Sequence, residues 1–477
     1  MKGIFIRGKW TQARGLDFER RSPITSDITY QGRCSSASDV EDAIDYALKN
    51  FVEWSMTPLE SRIVIVQRFS KLLLEKKDAI AKLIRDEIGK PLWESRLEVE
   101  STAAKGDVSI SAMQQRLKPT ETTTYRPYGV AAVIGPFNFP MHLPNAQIMP
   151  ALLAGNSVLF KPSELAPSIA EVYTRLWSDA GLPPYALQLL QGDGRVAELL
   201  TQNRSVKAIY FTGSFETGQK IGRVSLEIPG RIVALEMGGN NPLIICPSAQ
   251  TEIAAEIAAI SAFITSGQRC TCARRLIVVE NSATDTFLKI LQKRALSYRA
   301  GMPSDSSDPF LGPLASESGY KRVVAGWKRS VAAKGQVLLS LDTLEKTLVT
   351  PGLIDMTDCE TFDEEIFGPI LQVTRVPSLD KAIEAANKTE YGLVAAVLTL
   401  DQKEWEYIFP RLHAGIINWN GSTMGASGKA PFGGIGKSGN ARPAGFFACD
   451  SAAYPVATTA YPELTLPTFI PKGLLNK

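Results

Sequence analysis

Histidine is the scarcest chemistry-bearing residue of this chain. Only His142 and His413 occur in 477 residues. That argues against a metal centre built from several histidines, and against catalysis that relies on several imidazoles. No metal is expected. Long apolar runs are missing as well. No stretch reaches the roughly 18 uninterrupted apolar residues of a membrane helix. The opening MKGIFIRGKW meets charge too early for a secretory signal. No membrane partner is expected. Charge of one sign is lacking too: 52 basic residues face 49 acidic ones, for a net charge of +3. With no basic run, nothing points to nucleic acid. Cysteine is sparse. Cys34, Cys246, Cys270, Cys272, Cys359 and Cys449 show no framework spacing. Free thiols in a cytoplasmic protein are the expectation.

What is present is an ordinary globular composition, 44% hydrophobic and 21% charged. The chain is too long for one core, since single cores stop growing near roughly 250–300 residues. Two large lobes and a smaller part are expected. Short strands are predicted to about residue 35. Long helices follow over 38–115, the first starting at Ser38-Asp39-Val40-Glu41. Ile63, Val66, Phe69, Leu72, Leu73, Ile80, Leu83 and Ile84 fall at helical spacing and read as core. Beyond residue 120 strands alternate with helices: Gly129–Ile134, Ser157–Lys161, Ala186–Gln191, Ala208–Thr212 and Ile232–Glu236. That alternation predicts an α/β fold with a mainly parallel sheet. A second α/β stretch runs from Leu243 to about Phe432, with helices near 251–266, 282–297 and 316–334.

Five short motifs could carry chemistry. Ser266-Gly267-Gln268-Arg269-Cys270-Thr271-Cys272 lies between a helix and a strand. A thiolate there is favoured by the neighbouring positive charge of Arg269, Arg274 and Arg275. An inert buried cysteine is the plainer alternative, and spacing does not choose between Cys270 and Cys272. Glu236 ends an apolar strand before Gly238 and Gly239. A carboxylate at a strand's carboxyl end is placed for general-base work, though a surface glutamate at a turn would look the same. Residues Gly213, Ser214, Phe215, Glu216, Thr217 and Gly218 join a strand to a helix. A glycine-bearing helix N-terminus can bind pyrophosphate. It lacks the G-x-G-x-x-G spacing. Lys161 and Glu164 end another strand and could meet a ribose, Glu164 favouring NAD over NADP. Asn138, between Phe137 and Phe139, could be a rigid oxyanion donor or a plain turn residue.

Together and in this order, GPFNFP, FKPSE, FTGSFETG, LEMGGNNP, GQRCTCARR, EEIFGP and PFGGIGKSG resemble the aldehyde dehydrogenase superfamily. The resemblance runs from near the start of the chain to its last strand. NFPMHLPN, LEMGGNNPLII, GQRCTCARR, INWN and SGNARP further resemble the subgroup that oxidises N-succinylglutamate 5-semialdehyde in the succinyl-transfer route of arginine breakdown. The resemblance implies a nucleophile at Cys270, a base at Glu236 and an oxyanion donor at Asn138. It implies NAD as cofactor, with its pyrophosphate at residues 213–218, its adenosine ribose at Lys161 and Glu164, and its nicotinamide half at Glu365 and Phe367. It implies a Rossmann-type cofactor domain over 1–116 and 132–239, a catalytic domain over 240–439, and a β arm over 117–131 and 440–477 that builds a homodimer or larger. The substrate would be a small acidic aldehyde, for which Arg442, Arg269 and His142 are the candidate ligands. Other readings are oxidation of another semialdehyde such as glutamate semialdehyde, transfer of the thioester to coenzyme A, simple thiol esterase action, or a structural protein on the same fold. Asn240 departs from the Lys common after the two glycines, and agrees with the subgroup.

Overall fold

The structure is a computed structural model and describes residues 3–464. Two seven-stranded sheets organise it. In the first, parallel strands run in the spatial order Ile232–Met237, Val206–Gly213, Val130–Ile134, Ser157–Lys161, Leu187–Leu189. The antiparallel pair Ile4–Ile6 and Lys9–Thr11 completes that sheet. The central strand Val130–Ile134 is buried at every position and feeds both faces. Ala131 and Val133 enter one core, whereas Val130, Ala132 and Ile134 enter the other. Such two-sided burial is what helices on both faces demand of a parallel sheet.

Helices Leu59–Glu75, Lys77–Ile88, Leu92–Arg116, His142–Ala154 and Pro167–Asp179 cover one face, carrying the predicted apolar stripe into its core. The first helix, Ala37–Met56, begins two residues before the expected start. Ser36 accepts from the Asp39 amide at 3.1 Å while the Asp39 carboxylate accepts from Ser36 N–H at 2.8 Å. This reciprocal cap satisfies two amides that Ser38 would leave unmet.

The chain crosses to the second lobe over Gly238–Asn240. There the order is Gln336–Leu339, Gly352–Asp355, Ile370–Val376, Ala273–Val279, Asn241–Ile245, Val394–Leu398, Ile416–Trp419, with only the first strand antiparallel. A separate ribbon pairs Thr123–Pro127 with Ala453–Ala457. Val130 and Ala131, read from sequence as the end of the arm, belong instead to the central strand of the first sheet. Both are fully buried, one in each core, which fits a central strand rather than a ribbon. Of the expected C-terminal arm, residues 465–477 lie outside the described residues.

From Val130–Ile134 the chain first moves toward Ser157–Lys161 and later returns to the other side at Val206–Gly213. Loops following neighbouring strands therefore part between 130–134 and 206–213. Such a reversal opens a crevice at the carboxyl ends of the strands, where ligands bind in sheets of this kind.

Candidate active site

Cys270 is presented by an unusual piece of backbone. Helix Thr251–Phe263 ends in a single turn in which Thr265, Ser266 and Gly267 all take left-handed φ, at 57°, 52° and 70°. For Thr and Ser that conformation costs about 1–3 kcal/mol each and survives only where the surroundings enforce it. Here they do. The Ser266 hydroxyl donates to Gly312 O at 2.7 Å, and that of Thr265 to the buried Glu94 carboxylate. At Gly267 a Cβ would fall 2.0 Å from the Gly368 carbonyl oxygen, so no side chain fits. The Asn241 amide then donates to the carbonyls of Cys270 and Cys272, at 2.6 and 2.8 Å. Asn241, from the first strand of the second lobe, thus fixes the backbone around Cys270. Sequence reading passed over it, although it closes the string around Glu236.

The same turn separates the two thiols. Cys270 is half-buried and lines the large cavity. Cys272 is fully buried, with its sulfur 3.6 Å from Ile264 O. The expected depression of the Cys270 pKa is not found. Burial pushes the thiol up, and the Glu236 and Glu365 carboxylates push it further, against Arg269. Arg274 and Arg275 spend their guanidinium groups elsewhere. Arg274 binds the carbonyls of Gly368, Gly267 and Arg269, and Arg275 those of Asn240, Ala385 and Ala386. Proximity in sequence did not become proximity of charge.

Glu236 lies on the edge strand of the first sheet, and the segment Ser438–Asn440 pairs along it. Met237 N–H donates to Ser438 O at 3.0 Å, Asn440 N–H to Leu235 O at 3.1 Å, and Leu235 N–H to the Asn440 side chain at 2.7 Å. Glu236 is 1% exposed, and neither carboxylate oxygen has a hydrogen-bond partner. Burial raises its pKa to about 8, with the Lys105 ammonium opposing. Buried carboxylates are normally paired. An unpaired one with a pKa near neutrality has the properties of a general base.

The Gly135–Pro140 loop lies between the two sides of the site. Asn138 is buried, and its amide donates to Gln268 O at 2.9 Å, tying it to the Cys270 turn with its second N–H still available. Phe137 meets Phe367 edge-on at 6.0 Å. Phe139 faces the cavity, with Lys90 3.5 Å and Arg269 4.7 Å from its ring centre. Beneath the loop, Glu98 pairs with Lys90 at 2.7 Å and accepts from the Met141 and His142 amides at 3.1 and 3.4 Å.

The cofactor candidates gather at the crevice. Ser214 caps helix Phe215–Leu226, and Ser214, Glu216 and Thr217 are exposed at its N-terminus. Gly218 packs tightly inside the helix start, where a Cβ would sit 2.3 Å from Met237 Sδ. Gly213 likewise abuts the Phe211 ring. Lys161 is buried at its strand end, with Nζ 3.7 Å from the exposed Glu164 carboxylate. Glu365 lies against the backbone of Gly238, where a Cβ would be 1.7 Å from its carboxylate, and 3.7 Å from Arg274. Burial raises Glu365 to about 7. An exposed helix N-terminus, a strand-end ammonium and an exposed carboxylate at the carboxyl ends of the strands fit a dinucleotide.

The cavity opening at Cys270 holds about 660 Å³. Arg269 and His142 line it; Arg442 does not. Arg442 sits in a left-handed turn and donates to Gly434 O at 2.8 Å, a structural bond that gives its reading as a substrate ligand no support. Lys105 and Lys429 line the cavity and were not anticipated. Glu94, Glu98, Ser101 and Lys105 recur on one face of helix Leu92–Arg116, and polar residues repeating on a face otherwise bound for burial were the available signal.

The profile of the aldehyde dehydrogenase family matches residues 10–454, and the chain belongs to that family. An enzyme that oxidises an aldehyde with a nicotinamide cofactor is what its fold and site define. Within the family it is 41% identical to the N-succinylglutamate 5-semialdehyde dehydrogenase of Paraburkholderia xenovorans, over 99% of this chain and all of that one. Identity to the protein of the same name from Burkholderia lata is 42% at the same coverage. Among solved structures, an indole-3-acetaldehyde dehydrogenase complexed with NAD+ superposes with a TM-score of 0.89 at 29% identity, covering 96% of each chain. The gamma-glutamyl-gamma-aminobutyraldehyde dehydrogenase of Burkholderia cenocepacia gives 0.91 at 29% identity and the same coverage.

Proposed function

We propose that this enzyme oxidises N-succinyl-L-glutamate 5-semialdehyde to N-succinyl-L-glutamate with NAD. The observation that carries the reading is the site itself: a nucleophile opening into a cavity that bears cations, beside a buried carboxylate with two unpartnered oxygens. Full-length similarity to enzymes of that name supports the substrate.

The Cys270 sulfur adds to the aldehyde carbon, forming a thiohemiacetal. The second Asn138 N–H and the Cys270 backbone N–H hold the developing oxyanion. Bound NAD would supply the hydride acceptor for that carbon, and Cys270 would then carry the acyl group as a thioester. Glu236 then removes a proton from the water that attacks the thioester, releasing the carboxylate product and the thiol. Residues 213–218 would hold the pyrophosphate, Lys161 and Glu164 the adenosine ribose, and Glu365 and Phe367 the nicotinamide half. The exposed Glu164 carboxylate repels a 2′-phosphate, which favours NAD over NADP. The first lobe holds the cofactor and the second the nucleophile. The ribbon of Thr123–Pro127 and Ala453–Ala457, with strand edges to satisfy, seats against a second copy.

NADH production from the succinylated semialdehyde, beside neutral and singly charged aldehydes, tests the reading. A preference in kcat/KM for the succinylated compound is expected; activity confined to other aldehydes would overturn the substrate while keeping the mechanism.

A further inference from the structure

The cavity wall carries three cations, Lys105, Arg269 and Lys429, and two anions, Glu94 and Glu98. Both anions are already engaged. Glu98 has Lys90 and two backbone amides. Glu94 has Thr265 and, at 3.4 Å, Arg269. The charge of Arg269 is therefore opposed before any substrate arrives. His142 adds none. Burial and the nearby Lys105, Arg269 and Lys90 hold its pKa well below the ordinary value. Lys429 is exposed, and solvent screens it. Lys105 is different. It is half-buried on helix Leu92–Arg116 and lines the cavity. Among the described residues it makes no ion pair. The carboxylate that acts on it is that of Glu236.

We infer that Lys105 is the residue that selects carboxylate-bearing aldehydes, by pairing with a substrate carboxylate inside the cavity while Cys270 holds the aldehyde carbon. This deepens the proposed function and rests on it for the succinylated substrate alone. An ammonium held half out of water without a counter-ion costs the free enzyme stability. A substrate carboxylate supplies that counter-ion, and an uncharged aldehyde does not. Because the pairing is present in the bound ground state and persists through the reaction, its loss falls mainly on KM.

The test compares wild type, Lys105→Met and Lys105→Arg on the succinylated semialdehyde, succinic semialdehyde and butanal, with NADH formation as readout. In Lys105→Met the loss of kcat/KM on the carboxylated aldehydes should exceed the loss on butanal at least 30-fold. It should lie in KM, with Lys105→Arg recovering part of the preference. If all three aldehydes lose equally, Lys105 acts through Glu236 or through packing, and the inference is wrong. It is equally wrong if the preference survives in Lys105→Met. A wild type that favours succinic semialdehyde over the succinylated compound, with Lys105→Met erasing its preference over butanal, would sink the substrate reading and leave this inference standing.

Discussion

The residue that most repays attention is Glu236, because its environment sets both rate and stability. Its pKa is raised to about 8 by burial. A base must be deprotonated, so steady-state turnover is expected to rise with pH through about 8 and to fall below it. A stopped-flow burst measured beside the steady state separates the two steps. In Glu236→Gln the burst of NADH should remain while steady turnover falls at least 100-fold; undiminished turnover would show that another group activates the water. Stability should move oppositely to activity. A carboxyl whose folded pKa lies above its unfolded value adds no penalty below about pH 4, and the penalty grows until pH passes about 8. The raised pKa corresponds to a few kcal/mol, so Glu236→Gln should raise the melting temperature at pH 9 and scarcely change it at pH 4. Cys270 gives an independent check. Its thiol is pushed up by burial and then by Glu236, so iodoacetamide at pH 9 should alkylate Cys270 faster in Glu236→Gln than in wild type. The motifs singled out both residues as candidates, but local sequence could not give their charge states. Arg274 and Arg275 stand beside Cys270 in the chain and yet face carbonyls in the fold.

At the scale of elements, the strands announced themselves as short apolar runs set between helices, and the helices through helical spacing. Ser157–Lys161 is a strand over the very residues expected. The turn that delivers Cys270 was not legible, because nothing local marks Thr265 and Ser266 as left-handed. Their conformation is imposed by Glu94 and Gly312, distant in sequence. Asn241 was hidden for the same reason. Its two bonds to the cysteine carbonyls exist only once the strand Asn241–Ile245 lies beside Ala273–Val279. Asn241→Ala leaves two buried acceptors short of a donor, a cost of about 1–3 kcal/mol for each group left unsatisfied. The expected outcome is a lowered melting temperature with kcat reduced more than KM is raised. Gly267→Ala should be harsher, since its Cβ would press on the Gly368 carbonyl. Near-wild-type turnover in Gly267→Ala would mean that the turn can be rebuilt without moving the thiol.

Over the whole molecule, the ribbon of Thr123–Pro127 and Ala453–Ala457 ties together strands more than 300 residues apart in sequence. If it seats a second copy, Val456→Asp should shift the mass seen by light scattering toward one chain. An unchanged mass would move the interface elsewhere. The two-lobed α/β plan was readable from chain length and alternation. The precise border of the arm was not, since Val130 and Ala131 change allegiance only when their neighbours in the sheet are known. Long-range pairing also governs the base. The strand bearing Glu236 is closed along its outer edge by Ser438–Asn440, some 200 residues later. During synthesis, then, the nucleophile and the base both leave the ribosome well before the segment that fixes the base in place. A nascent chain would have both reactive groups and no assembled centre, so turnover is expected only once Ser438–Asn440 has been made and has paired with the Glu236 strand.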